Sequence, residues 1–201
     1  MITITFPDNT VKEFESGITG LEIAKGISNR LAKEAVAVGV NGETYDLTRP
    51  IIEDAEFAIY KFTDEQGKDA FWHSSAHLMA EALEVIYPGV KLWVGPSVDN
   101  GFYYDIDLPE GQTITDKDFP KIEKKMLELA QQKNAYIRKD MAKGDALKYY
   151  SEKGDEYKVD LISGLEDGTI TFYEQGNFTD LCRGPHLPNT GYIKAMKIIS
   201  N

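Results

Sequence analysis

The stretch "AVAVGVNGETYDL", residues 35–47, sets the architecture of the first third of the chain. Residues 35–40 form a small-apolar run that reads as a buried strand. Asn41-Gly42 then supplies two residues that accept positive φ, a strong hairpin signal. "ETYDL" returns from that turn. Toward the N-terminus, "ITITF" (2–6) alternates apolar and polar as a half-buried strand does, "PDNT" is a turn, and "VKEF" (11–14) is the returning strand. Leu21, Ala24, Ile27 and Leu31 then recur at helical spacing. "EFAIY" (56–60) closes the unit. Two strands, a helix, then three strands suit a small mixed sheet with one helix across its face, a β-grasp. The unit contains no histidine or cysteine, so it reads as a binding or docking module. The polar stretch "TDEQGKDA" (63–70), with Gly67, is the expected boundary, giving domains of 1–62 and 63–201.

The second domain opens with a helix expected over about 70–87, stopped by Pro88-Gly89. "VGPSVDNGFYYDIDL" (94–108) reads as strand, turn, strand. Asp118 is a candidate helix cap and Pro120 suits a first turn, with Ile122, Met126 and Leu129 on one face. A short helix is expected over 141–152. "TITFYEQ" (169–175) is a strand, "FTDLCRGPH" (178–186) a strand running into a turn, and "YIKAMKIIS" (192–200) a last strand. The pattern is α+β: a β-grasp followed by a domain with an antiparallel sheet and helices.

Composition narrows the function classes. No apolar run approaches the ~18 residues of a membrane span. "MITITFPDNT" lacks the basic and apolar segments of a signal peptide. The single cysteine rules out an internal disulfide and suits a reducing compartment. The expected location is therefore cytoplasmic, with no membrane partner. A formal charge of -11 argues against binding nucleic acid by bulk electrostatics. Residues 120–150 are nevertheless net basic. That arm is either a local phosphate-holding patch or a solvated helix face.

The chemistry concentrates in two short motifs. "FWHSSAHLMA" (71–80) places His73 and His77 four apart on a helix, so both side chains point the same way. On the helical wheel, Trp72, Ala76, Met79, Leu83 and Ile86 fall within about 40° of one line. Leu78, Ala82 and Val85 form a second apolar side. The histidines occupy a narrow polar wedge beside Glu84 and are expected to look into a cleft. The third histidine, His186, ends "CRGPH", which holds the only cysteine, Cys182. A turn at Gly184-Pro185 lets Cys182 and His186 face one side. Asp180, two residues before Cys182 on an extended segment, shares its face. One thiolate and three imidazoles, His73, His77, Cys182 and His186, could hold zinc tetrahedrally. Equally, they could line a metal-free pocket in which a histidine activates water. The bland readings are two polar helix positions and a small buried thiol.

"HSSAHLMAEAL", "GPSVDNGFYYDID", "DFPKIEKKM" and "FTDLCRGPHLPNTG" together resemble the N-terminal region of bacterial-type threonyl-tRNA synthetases. The resemblance covers essentially the whole chain. It implies a TGS domain, a β-grasp, over residues 1–62 and an editing domain from residue 63. A similar "H-x-x-x-H … C-x-x-x-H" constellation occurs in alanyl-tRNA synthetase editing domains, where it binds zinc. In the threonyl family the pocket is regarded as metal-free, which implies no cofactor here. The resemblance further implies that the class II aminoacylation core and the anticodon-binding domain lie beyond this sequence. The parent enzyme's dimer contacts would belong to that core. The chain is therefore expected to be an N-terminal fragment.

The activity implied is proofreading: hydrolysis of serine from mischarged seryl-tRNA(Thr), with the tRNA acceptor end as partner. His73, Lys158, Asp180 and His186 are the implied catalytic residues, and His77, Tyr104 and Cys182 the implied substrate-binding residues. His73 would activate water or hold the ribose hydroxyl. Lys158, in "GDEYKVDLI", would stabilise the oxyanion, and Asp180 would hold the serine amino group or a water. Taken without the resemblance, Lys158 reads as an exposed strand lysine and Tyr104 as a core aromatic. A zinc-dependent hydrolase and a non-enzymatic RNA-docking module are the alternative classes.

Overall fold

A computed structural model describes residues 1–168 and 170–200. The chain divides into two compact units. The first is Met1–Trp72 with Gly184–Pro188; the second is His73–Arg183 with the residues from Asn189 onward.

In the first unit β1 (Ile2–Thr5), β2 (Val11–Phe14), β3 (Ile18–Thr19), α1 (Gly20–Ile27), α2 (Asn29–Glu34), β4 (Ala35–Val40), β5 (Glu43–Asp46), β6 (Pro50–Ile51) and β7 (Ala55–Lys61) follow in order. Five strands make one sheet in the order β2-β1-β7-β4-β5. β1 and β7 are parallel and the other pairs antiparallel. This is the β-grasp. Both Asn41 and Gly42 adopt positive φ, as the hairpin turn requires. Ile2, Ile4, Val38, Phe57 and Leu47 pack with Ile23 and Ala24 of α1 and Ala32 of α2. The single expected helix is two. Ser28 ends α1 in extended backbone and its hydroxyl accepts from Leu31 N–H, capping α2. The two-stranded β3–β6 pair was too short to show in the sequence pattern.

Helix α3 spans Glu65–Ile86. The polar stretch 63–70 is thus mostly helix rather than linker, and α3 starts earlier than the expected residue 70. Asp64 begins it, accepting Lys61 N–H through its carboxylate and Lys68 N–H through its carbonyl. Gly67 is required by contact: a Cβ there would lie 1.9 Å from the Lys61 carbonyl oxygen. From Ser74 to Leu83 every residue except Met79 is buried. Val85, expected on an apolar side, is instead 54% exposed, because it lies beyond this engulfed segment.

The second unit continues with β8 (Lys91–Leu92), β9 (Ser97–Val98), β10 (Gly101–Phe102), β11 (Ile106–Asp107), α4 (Phe119–Gln131), β12 (Ile137–Asp140), α5 (Lys143–Lys153), α6 (Glu156–Ser163), β13 (Thr171–Gln175) and β14 (Phe178–Leu181). The expected 94–108 hairpin exists in interrupted form: β9 pairs β10 at its tip and β8 pairs β11 at its base. β12, β13 and β14 form an antiparallel sheet. Of the expected strand 169–175, Thr169 lies outside the described residues.

Three expectations fail here. Asp118 does not cap α4; its carboxylate accepts the Thr115 N–H and hydroxyl instead. Lys158 lies on helix α6, not on a strand, because Asp155 accepts its N–H and starts that helix. Residues 192–200 form no strand. Ile193 is buried, but Ile199 is 88% exposed and Ile198 N–H donates to the Glu123 side chain rather than to a neighbouring strand.

Candidate active site

The site lies in the second unit, where β14 and its continuation present alternate side chains to one face. Phe178, Asp180 and Cys182 are buried while Thr179 and Leu181 are half-buried, the two-residue period of a strand. Phe178 meets the His77 ring edge-on at 5.8 Å. Asp180 and Cys182 open into a cavity of about 330 Å3. His73, His77, Tyr104 and Lys158 line it too. Sequence reasoning had named all six.

Asp180 is the hub. Lys158 Nζ lies 2.6 Å from Asp180 Oδ1, with both side chains almost fully buried. The Tyr104 hydroxyl donates to Oδ2. The Tyr150 hydroxyl reaches Oδ1 at 3.3 Å, and Leu181 N–H donates to Oδ1 at 2.8 Å. Burial pushes the Asp180 carboxyl up, but the Lys158 ammonium, His77 and the hydrogen bonds from Lys158 and Tyr104 outweigh it. The carboxyl titrates below its ordinary value and is ionised at neutral pH. Burial, with the Asp180 charge added, raises the Tyr104 and Tyr150 phenols, so both stay protonated donors.

Tyr150 was not foreseen. It sits on α5, stacked on Phe172 at 5.8 Å in the core that α5, α6 and β13 share. Its neighbour Tyr149 has the same identity, so residue type could not single it out. Tyr104 reaches Asp180 from the β10–β11 connection. Gly95 makes room for it: a Cβ there would lie 2.2 Å from Tyr104 Cδ2.

The histidines divide by environment. His77 is buried, and burial together with the neighbouring His73 pulls its pKa down to about 3, Asp180 opposing only in part. It is therefore neutral at physiological pH. His73 is partly exposed, packs edge-on against His77 at 5.2 Å, and places Nε2 3.2 Å from Cys182 Sγ. The Cys182 carbonyl accepts from the Thr171 hydroxyl, and its N–H donates to the Thr171 carbonyl. That fixes the backbone from which the thiol projects. His186 is buried in the 184–188 segment that belongs to the first unit, and its N–H donates to Asp46 at 2.6 Å.

Metal-ligand chemistry also fits part of this set. One ring nitrogen each from His73 and His77 and the Cys182 sulfur lie within 4.8 Å of one another, a donor type and spacing that suit zinc.

A TGS domain model matches residues 2–61, the five-stranded sheet with its helices. A model described as the threonyl and alanyl tRNA synthetase second additional domain matches residues 170–201, which include β13, β14 and the Asp180–Cys182 wall of the cavity. The class defined is thus a TGS domain joined to a synthetase editing-type domain. The whole chain is 62% identical to the threonine–tRNA ligase of Porphyromonas gingivalis, 59% to that of Parabacteroides distasonis and 58% to that of Bacteroides fragilis. It spans 31% of the length of each of these relatives. Over that length the chain belongs to the threonyl-tRNA synthetase family.

Proposed function

We propose that the second unit hydrolyses the ester of seryl-tRNA(Thr), releasing serine and free tRNA. One observation carries the reading: a buried Lys158–Asp180 ion pair opens into the same cavity as neutral His77, His73 and Cys182. A buried lysine held by a carboxylate is a preorganised cation for developing negative charge.

The steps follow from the groups present. A water attacks the ester carbonyl carbon while the His73 imidazole takes its proton. The carbonyl oxygen becomes an oxyanion facing Lys158 Nζ, which Asp180 holds in the cavity lining. Collapse breaks the bond to the ribose oxygen, and the proton on His73 passes to that oxygen. Asp180, tied to Lys158, Tyr104 and Tyr150, acts chiefly by holding the lysine and the phenol in place. This role differs from the expected one of holding the serine amino group or a water. Cys182 needs no covalent role, because the ester is already activated; its sulfur orients His73.

Such a site has a chemical reason to exist. A synthetic pocket that fits threonine rejects the smaller serine by only ~1–3 kcal/mol, so a second site must remove the error. The parent ligase activity, the tRNA(Thr) partner and a cytoplasmic location belong to the same proposal. The test is serine release from seryl-tRNA(Thr) by wild type, Lys158→Met and Tyr104→Phe. We expect release well above background, reduced at least ~100-fold by Lys158→Met. Background rates in the wild type would sink the reading.

A second reading has its own support in the His73, His77 and Cys182 donors, which would hold a zinc ion. When bound, such an ion lowers the pKa of a coordinated water. Metal analysis of protein purified without chelator separates the two. The metal-free reading expects no stoichiometric zinc and unchanged activity in EDTA; zinc lost together with activity would contradict it.

A further inference from the structure

Trp93 stands out among the cavity's lining residues. It is 48% exposed, yet it packs in stacked geometry on Tyr157, with centroids 5.9 Å apart and planes 26° apart. Tyr157 is itself 38% exposed and immediately precedes Lys158 on α6. One residue of that helix turn thus faces into the cavity while its neighbour supports an aromatic at the rim. The platform is held in place. The Trp93 backbone N–H donates to the Asp105 carbonyl at 2.9 Å, and the Tyr157 hydroxyl reaches Asp107 at 3.5 Å. Cations flank it: Lys91 Nζ lies 5.7 Å from the Tyr157 ring centroid, and exposed Arg183 lines the same cavity. Folding alone does not call for a half-exposed tryptophan at a cavity mouth, since burial is what an indole gains from packing.

We infer that Trp93, backed by Tyr157, is a stacking platform for an unpaired nucleobase of the RNA strand whose esterified 3′ end enters the cavity. Paired exposed aromatics with neighbouring lysine and arginine are the elements of single-strand recognition: the rings take base faces and the cations take phosphates. The placement also answers the charge problem. The chain as a whole is acidic at -11, so affinity for RNA must come from local contacts rather than from the overall field. Trp93 is a binding residue here, not a catalytic one. The inference rests on the proposed deacylation for the identity of the ligand.

The experiment uses two fluorescently labelled RNA hairpins, one with four unpaired 3′ nucleotides and one blunt, titrated against wild type, Trp93→Ala and Trp93→Phe. We expect Trp93→Ala to weaken overhang binding about tenfold, Trp93→Phe to stay within about threefold of wild type, and the blunt hairpin to respond to neither. On seryl-tRNA(Thr), Trp93→Ala should raise KM by a similar factor with kcat nearly unchanged. Equal binding of the overhang by wild type and Trp93→Ala would overturn the platform, as would an equal loss for both hairpins. A wild type that binds the overhang through Trp93 but releases no serine would refute the deacylase reading and leave the platform standing.

Discussion

Asp180 accepts from Lys158, Tyr104, Tyr150 and Leu181 N–H, so its removal strands a buried ammonium. Asp180→Ala should cost about 3–5 kcal/mol in chemical denaturation. Adding Lys158→Met should recover most of that loss, because the uncompensated charge goes with it. A loss that stays unchanged in the double variant would show that packing, not charge, is what Asp180 supplies. Glu81 gives a second test away from the catalytic groups. It is buried on α3 with Gln175 Nε2 at 3.3 Å, and burial raises its carboxyl above the ordinary range. A raised native pKa means the folded state holds more protons than the unfolded state, so this group's contribution to stability falls as pH rises through that window. Glu81→Gln should therefore stabilise at pH 7–8, with a gain that shrinks toward pH 4. The gain should be helped by Gln175 Oε1, which has no hydrogen-bond partner among the described residues. Denaturation midpoints across pH decide it. At this scale His73, His77, Asp180 and Cys182 were legible because helical and strand periods fix which side chains share a face. Lys158 was legible only through family resemblance. Its burial depends on Asp180, 22 residues away in sequence, and no local pattern encodes that pairing.

At the scale of elements, the alternating strands and the Asn41-Gly42 hairpin read directly from sequence, because each is set by residues close in the chain. The failures were places where tertiary contact overrode local preference. Gly67 and the polar run 63–70 looked like a break, yet Asp64 starts α3, and the glycine is needed where the helix passes close to the Lys61 carbonyl. Gly67→Ala should thus destabilise the protein by about 1–3 kcal/mol, although alanine is intrinsically the better helix former by ~1 kcal/mol. A stabilising effect in thermal unfolding would contradict this steric need for glycine. The same logic applies to Gly95→Ala, which should displace Tyr104 and lower serine release with little change in stability. If Tyr104→Phe and Gly95→Ala prove additive in rate, the two do not act through one hydroxyl. The missing strand at 192–200 has the opposite cause: its apolar residues suggested a strand, but among the described residues no strand takes up its backbone groups.

At the scale of the molecule, residues 1–72, which contain no histidine or cysteine, carry the β-grasp, and the second unit carries the cavity. The TGS model matches within the first unit, over residues 2–61, and the synthetase additional-domain model, over 170–201, covers β13, β14 and the Asp180–Cys182 wall of the cavity. No helix among the described residues is long and apolar enough to cross a membrane. The central claim is that the cavity built on Lys158 and Asp180 cleaves serine from tRNA and spares threonine. It is tested most directly by parallel single-turnover deacylation of seryl-tRNA(Thr) and threonyl-tRNA(Thr) by the wild type and His73→Ala. The account predicts serine released at least ~10-fold faster than threonine and a fall of ~10²–10⁴-fold in serine release for His73→Ala. Equal rates on both esters, or an unaltered rate in His73→Ala, would contradict it.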